Sequence, residues 1–121
     1  MKRREVGVLG EKIACSYLEK NGYEIIETNY RCPEGEMDIV ARRDDLVAFV
    51  EVRTRRSDTA GTPEESITPR KKQRLTAVAE HYGQDREGLP SARRIDVLAI
   101  NLTRSGRVSR IHLIENAVDG F

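Results

Sequence analysis

The chain has no tryptophan, and only 5% of its residues are aromatic, so a folded core must be filled chiefly by aliphatic side chains. Its two cysteines, Cys15 and Cys32, have no metal-ligand spacing, which suits a reduced, cytoplasmic protein. No apolar run approaches the ~20 residues that a membrane-crossing helix needs, and the opening MKRREVGVLGEK has no apolar signal core. Membrane and secreted classes are therefore set aside. Internal repeats, low-complexity tracts, a glycine-rich phosphate loop, a Ser/His/Asp set and a zinc spacing are all lacking. A dominant charge is lacking too, since 21 basic residues against 20 acidic leave a net of +1. Any electrostatic preference for a partner must come from local clustering.

What is present fits one compact α/β domain of 121 residues. Apolar residues at Val6, Leu9, Ile13, Tyr17 and Leu18 have helical spacing and stop at Asn21-Gly22. A strand is expected over Tyr23 to Asn29, then a turn at Cys32-Pro33-Glu34-Gly35, then strands over Glu36 to Arg42 and Val47 to Thr54. Gly61 to Ile67 reads as irregular. Thr68-Pro69 supplies an N-cap and first residue for a second helix with Leu75, Val78, Ala79 and Tyr82 as its buried stripe. Gly83 to Pro90 reads as a polar linker, and strands over Arg94 to Leu102 and Val108 to Ile114 close the order αβββαββ. The helix between strands predicts a mixed sheet flanked by helices.

The expected second and third strands carry charge among apolar residues: Glu36 and Asp38 in one, Glu51 and Arg53 in the other. A two-residue turn at Asp44-Asp45 puts Arg43 opposite Leu46. Counting back along both strands sets Asp38 opposite Glu51 and Glu36 opposite Arg53, all on one face. Opposed carboxylates have Cβ atoms roughly 5 Å apart and repel unless a positive charge lies between them. A divalent cation is one source of that charge. Oxygen-only ligands suit Mg²⁺, with Mn²⁺ as a substitute, and Glu11 at the edge of the first helix's apolar stripe is a candidate third carboxylate. Ordinary ion pairs account for the same residues: Glu36 with Arg53, and Asp38 and Glu51 each with an arginine.

Basic residues cluster at the start of the second helix, where Arg70, Lys71, Lys72 and Arg74 have no acidic neighbour between Ser66 and Thr76. Cations there oppose the helix dipole, whereas a bound phosphate reverses the sign. The cluster reads either as a phosphate contact or as a solvated face. Asp96 is expected in an ion pair with Arg93 or Arg94, while His81 and His112 look isolated. Cys15 and Cys32 read as small or surface residues.

Five ordered segments, Gly10-Glu11, GEMDIVA, FVEVRTR, TPRKKQRL and RRIDVLAI, resemble the YraN-like family of small bacterial proteins. That family is similar in turn to Holliday-junction resolvases and other nucleases of the restriction-endonuclease-like superfamily, whose motif is an Asp followed one strand later by Glu-x-Lys. The resemblance implies that fold, and it implies Asp38, Glu51 and Glu11 as metal ligands with Arg53 at the lysine position. It also implies catalytic roles for Glu11, Asp38, Glu51 and Arg53, Mg²⁺ as cofactor, and DNA, branched or nicked, as partner. Arg55, Arg70, Lys71, Lys72 and Arg74 become candidate nucleic-acid contacts, and resolvases act as dimers, which makes a homodimer an expectation. Arg53 departs from the motif because arginine stays protonated, so Lys71 or Lys72 is a candidate for the missing ammonium. Two functions follow: a metal-dependent DNA endonuclease, or a non-catalytic nucleic-acid-binding module on the same fold. A structural or protein-interaction domain is the third reading.

Overall fold

A computed structural model describes residues 2–56, 62–118 and 121. Its elements are α1 (Arg3–Lys20), β1 (Glu24–Cys32), β2 (Gly35–Arg43), β3 (Leu46–Arg56), a 3-10 turn (Pro63–Ser66), α2 (Pro69–Asp85), β4 (Ala92–Leu102) and β5 (Val108–Ile114). The αβββαββ order is the one the sequence predicts. The strands form one sheet in the order β1-β2-β3-β4-β5. Only β3 and β4 pair in parallel, because α2 returns the chain between them. This mixed sheet with a helix on each face is consistent with a restriction-endonuclease-like fold.

Both faces of the sheet are covered, which explains why β3 and β4 carry continuous apolar runs rather than strict alternation. On one face Ala14 and Leu18 of α1 pack over Ile39, Ala41, Ala48, Val50, Leu98 and Ile100. On the other, Leu75, Val78, Ala79 and Tyr82 of α2 cover Met37, Val40, Val47, Phe49 and Ile95. The expected helical stripe is buried in full. Tyr30, Phe49, Tyr82 and Phe121 gather under α2, while Tyr17 and Tyr23 lie among the aliphatics of the α1 face. Tyr82 meets Tyr30 edge-on at 4.9 Å and Phe49 at 5.7 Å between ring centroids.

Several boundaries differ from expectation: β1 runs on past Asn29 to Cys32, β3 spans Leu46–Arg56 and β4 begins at Ala92. Helix α2 runs through Gly83 to Asp85, so the linker begins later than the polar composition suggests. Buried Tyr82 and the His81 and Asp85 pair, one turn apart, hold the last turn against the modest helical penalty of a glycine. Gly61 of the stretch read as irregular lies outside the described residues. The rest of that stretch contains the 3-10 turn, where the Glu65 carboxylate accepts the Thr62 N–H at 3.2 Å. Arg110 of β5 grips Glu64 of the same turn with two bonds of 2.8 and 3.0 Å.

Asp96 is fully buried and structural. Its partner is Arg94, whose Nε and Nη2 reach its two oxygens at 2.8 Å each, and the Asn116 N–H donates at 2.9 Å. Arg93 instead donates to the Pro90 carbonyl.

Candidate functional site

Strands β2 and β3 are joined by the Asp44-Asp45 turn, with Asp44 in the left-handed region at φ 53°, a conformation aspartate tolerates. The register is the predicted one, from Arg43↔Leu46 to Ile39↔Val50. There the ladder ends. Hydrogen-bonded pairs recur every second residue from the turn, so continuation would give the Val52 N–H to the Met37 carbonyl. It goes instead to Asp38 Oδ2 at 2.7 Å. Alternation along β1 and β2 breaks at the same level. Asn29 has φ 53°, and Tyr30 and its partner Met37 pack under α2, whereas Ile39 and Ala41 pack under α1. The Asp38 side chain thus fills the fork where β2 and β3 part.

Asp38 and Glu51 follow the last ladder rung, at the position that a continued ladder would make a non-hydrogen-bonded pair with close side chains. Their carboxyls share a hydrogen bond. Burial first, then the charge of Glu51 and that shared bond, push Asp38 up from 3.8 to about 7, against the opposing pull of the Val52 N–H and Arg53. Near neutral pH Asp38 of the metal-free pair is therefore partly protonated.

Arg53 stands beside this pair, its side chain 22% exposed and its Nη2 3.2 Å from Glu51 Oε2. The distance is that of an ion pair, but the angle is not that of a hydrogen bond. Among the described residues its Nε and Nη2, both buried atoms, have no hydrogen-bond acceptor. The alternative pairing of Arg53 with Glu36 does not occur, since Glu36 faces Arg31 across β1 and β2 at 3.5 Å.

Two cavities open on either side of the fork, and Asp38 lines both. The first, about 730 Å³, is bounded by α1 and the end of β3 and lined by Glu11, Asp38, Arg53 and Arg55 together with Arg3 and Arg4. Gly10 is what lets α1 approach so closely, because a Cβ there would overlap the Thr54 side chain. The next residue, Glu11, is thereby brought to the cavity wall, where its Oε1 accepts from Asn29 Nδ2 at 2.7 Å. The second cavity, about 590 Å³, is lined by Asp38, Glu51, Lys71 and Arg74. Gly35 shapes it: with φ 148° and Arg74 and Val78 within 3.3 Å of where a Cβ would stand, it seats the β1–β2 hairpin against α2.

The basic cluster of α2 divides by helical geometry. Lys71 and Arg74, three residues apart, share the face that carries Leu75 into the second cavity. Arg70 and Lys72 are exposed on the first turn. Of the two lysines considered for the missing ammonium, Lys71 is the one at the carboxylates. Burial and then the Arg53 charge lower its affinity for a proton, while Glu51 and Asp38 raise it. The sequence reading missed Arg3 and Arg4 as cavity residues, although their basic run was visible. It also left His81 isolated, whereas Nδ1 lies 2.8 Å from Glu34 and Nε2 3.2 Å from Asp85. Contacts between a hairpin and a helix this distant in sequence have no local signal.

The five-stranded mixed sheet and its two helices define an α/β protein whose topology is consistent with a restriction-endonuclease-like fold. The model of a family described as uncharacterised protein family UPF0102 matches residues 10–100. The chain belongs to this family. It is 45% identical over 117 residues to a UPF0102 protein of Moorella thermoacetica, covering 97% of this chain and 98% of that one. It is 46% identical over 116 residues to one of Dehalococcoides mccartyi, covering 96% and 94%. One of Alkaliphilus metalliredigens is 45% identical over 114 residues, covering 94% and 97%. Among the described residues no helix is long and apolar enough to cross a membrane.

Proposed function

We propose that this protein is a divalent-cation-dependent endonuclease that hydrolyses phosphodiester bonds in DNA, with branched or nicked DNA as its substrate class. One observation carries the reading: two half-buried carboxyls, Asp38 and Glu51, crowd each other so that Asp38 keeps a proton up to about pH 7, beside an arginine edge whose donors have no acceptor among the described residues. A cation would replace the proton, and a phosphate oxygen would satisfy the arginine. The all-oxygen donor pair fits Mg²⁺, or Mn²⁺ in its place, with Glu11 across the first cavity as a further carboxylate. The ion's chemistry there would be to neutralise charge on the phosphate and acidify water.

The remaining roles belong to the chain. Arg53 Nε and Nη2 hold a phosphate oxygen and stabilise the charge that grows on it, a task suited to a permanently charged fork. Lys71, with its weakened hold on a proton, orients water or passes a proton from Nζ to the departing oxygen. Arg55, Arg70, Lys72 and Arg74 contact flanking phosphates, which fix the position of DNA without reading its sequence. Two copies in a homodimer would offer two such sites to a junction.

Arg53 supports a second reading, a nucleic-acid-binding module without efficient cleavage, because a guanidinium cannot act as a proton acceptor. One experiment separates the two. Purified protein is titrated with Mg²⁺ or Mn²⁺ on branched, flapped, nicked, linear and single-stranded DNA, beside Asp38→Asn and Glu51→Gln. Metal-dependent cleavage by the wild type alone supports the endonuclease. Retention of DNA without cleavage supports the binding module. Cleavage equal in all three proteins belongs to a contaminant and defeats the assignment of these carboxylates.

A further inference from the structure

The turn between β1 and β2 brings Cys32 and Glu34 against His81 on α2. The Cys32 sulfur, a Glu34 oxygen and a His81 nitrogen all lie within 4.8 Å of one another. These are a thiol, a carboxylate and an imidazole, three different ligand chemistries converging on one point. Glu34 Oε1 stands 2.8 Å from His81 Nδ1, and the neighbouring Cys32 and His81 hold the Glu34 carboxyl below its ordinary range. On the far side of the ring, His81 Nε2 faces Asp85 Oδ2 at 3.2 Å, and Asp85 accepts in turn from the Tyr30 hydroxyl at 3.4 Å.

We propose that Cys32, Glu34 and His81 form a binding site for a zinc ion, separate from the Asp38 and Glu51 pair, with Asp85 as the residue that orients His81. The donor set argues for the metal. A thiolate is a soft ligand and imidazole an intermediate one, and the combination selects Zn²⁺ over Mg²⁺, which takes oxygen. A neutral imidazole donates from one nitrogen only. In the metal-free chain Nδ1–H donates to Glu34 at 2.8 Å, the shorter of the two contacts; a metal ion would take the place of that proton and leave Nε2–H to Asp85. A histidine ligand whose second nitrogen donates to a carboxylate is the common arrangement at protein zinc sites.

Tetrahedral bonds of about 2.3 Å to sulfur and 2.0–2.2 Å to nitrogen and oxygen set ligand atoms roughly 3.4 Å apart, so His81 Nδ1 and Glu34 Oε1, now 2.8 Å apart, must open slightly to admit the ion. Glu34 is exposed and Cys32 and His81 are partly exposed, so rotation of these side chains suffices without moving the sheet. Three protein ligands leave a fourth position for water. The ion would tie the β1–β2 hairpin to α2, and that hairpin forms part of the wall of the second cavity through Cys32 and Gly35. The role is that of a clamp on the wall beside Lys71.

Reduced, chelator-treated full-length protein is titrated with Zn²⁺ against a chromophoric competitor in excess Mg²⁺, and with Co²⁺ in the spectrometer. The expected result is one ion per chain, a thiolate-to-cobalt charge-transfer band with tetrahedral visible bands, and a zinc-induced rise in melting temperature. Cys32→Ser should abolish the charge-transfer band. His81→Gln should weaken Zn²⁺ binding at least tenfold, and Asp85→Asn by roughly tenfold. Cys15→Ser and Asp38→Asn should leave the binding unchanged, and circular dichroism on each variant reports folding. Wild type that takes up no stoichiometric Zn²⁺ overturns the proposal and leaves His81 as an ion-paired surface residue. Binding lost in Asp38→Asn but kept in folded Cys32→Ser also overturns it, by putting the ion at the carboxylate pair.

Discussion

The Asp38 carboxylate accepts the Val52 N–H at 2.7 Å, the donor that regular pairing would give to the Met37 carbonyl. A side chain thus replaces a rung of the ladder, and the strands part around it. The same group is crowded by Glu51 and half-buried. The position is costly for an anion, and its consequences can be measured.

The first is a pH dependence of the metal-free protein. Asp38 titrates at about 7 when folded against an ordinary value of 3.8, so between these the folded state holds a proton that the unfolded chain has lost. Stability from this group is fully present below the lower value and falls as pH rises through the upper one. Thermal melts at low salt with chelator should show that decline, and Asp38→Asn should flatten it. At pH 8 the variant should be more stable than wild type by on the order of 1 kcal/mol, a few degrees in Tm. Identical pH profiles for the two proteins would refute the strained pair.

Metal should reverse the penalty. Mg²⁺ or Mn²⁺ at a hundredfold excess over its Kd adds about 2.7 kcal/mol to stability. Because the ion competes with the Asp38 proton, its apparent affinity should climb with pH up to about 7 and then level off. Calorimetric titration at several pH values checks this. Asp38→Asn and Glu51→Gln should each remove most of the heat, and equal heats in all three proteins would place the ion elsewhere.

Arg53 distinguishes a modified catalytic site from a lapsed one. Arg53→Lys leaves fewer buried donors without an acceptor and restores a compact ammonium whose pKa can move. Stability should be preserved and metal-dependent cleavage should increase, whereas Arg53→Ala should lower both cleavage and DNA affinity. If the lysine variant loses activity as fully as Asp38→Asn does, arginine is a working part of the site.

The basic residues of α2 should separate by face. Replacing Arg70 and Lys72, which are exposed, by alanine should weaken DNA binding across sequences and reduce its dependence on salt. Lys71→Ala, at the carboxylates, should lower the cleavage rate more than the affinity. Filter-binding at several salt concentrations beside single-turnover cleavage reads both. A salt slope unchanged by the double replacement would make those residues a solvated face.

Gly10 sets the depth of the first cavity. Gly10→Ala places a methyl group into the Thr54 side chain and should destabilise the fold by about 1–3 kcal/mol through forced separation of α1 and β3. Denaturant melts check the stability. Unchanged stability would mean that Thr54 turns aside without cost and that the helix position does not depend on the glycine.

Local chemistry wrote much of this into the sequence. Periodicity places both helices and all five strands. The Asp44-Asp45 turn fixes the register as far as Ile39 and Val50, because a two-residue connection leaves one pairing, and this sets Asp38 and Glu51 side by side just beyond it; past that point counting fails, and Glu36 meets Arg31 instead of Arg53. The buried stripe of α2 follows from its helical spacing. Tertiary structure decided the rest. Only the close contact of Gly10 with Thr54 brings Glu11 to the cavity, and only the rotation of α2 selects Lys71 over Lys72. Only the seating of a hairpin on that helix joins Cys32 and Glu34 to His81. The reason is the range of the signal. Spacing within an element and across a tight turn reports neighbours directly, whereas contacts between elements far apart in the chain depend on packing depth and helix rotation, set jointly by side chains throughout the core.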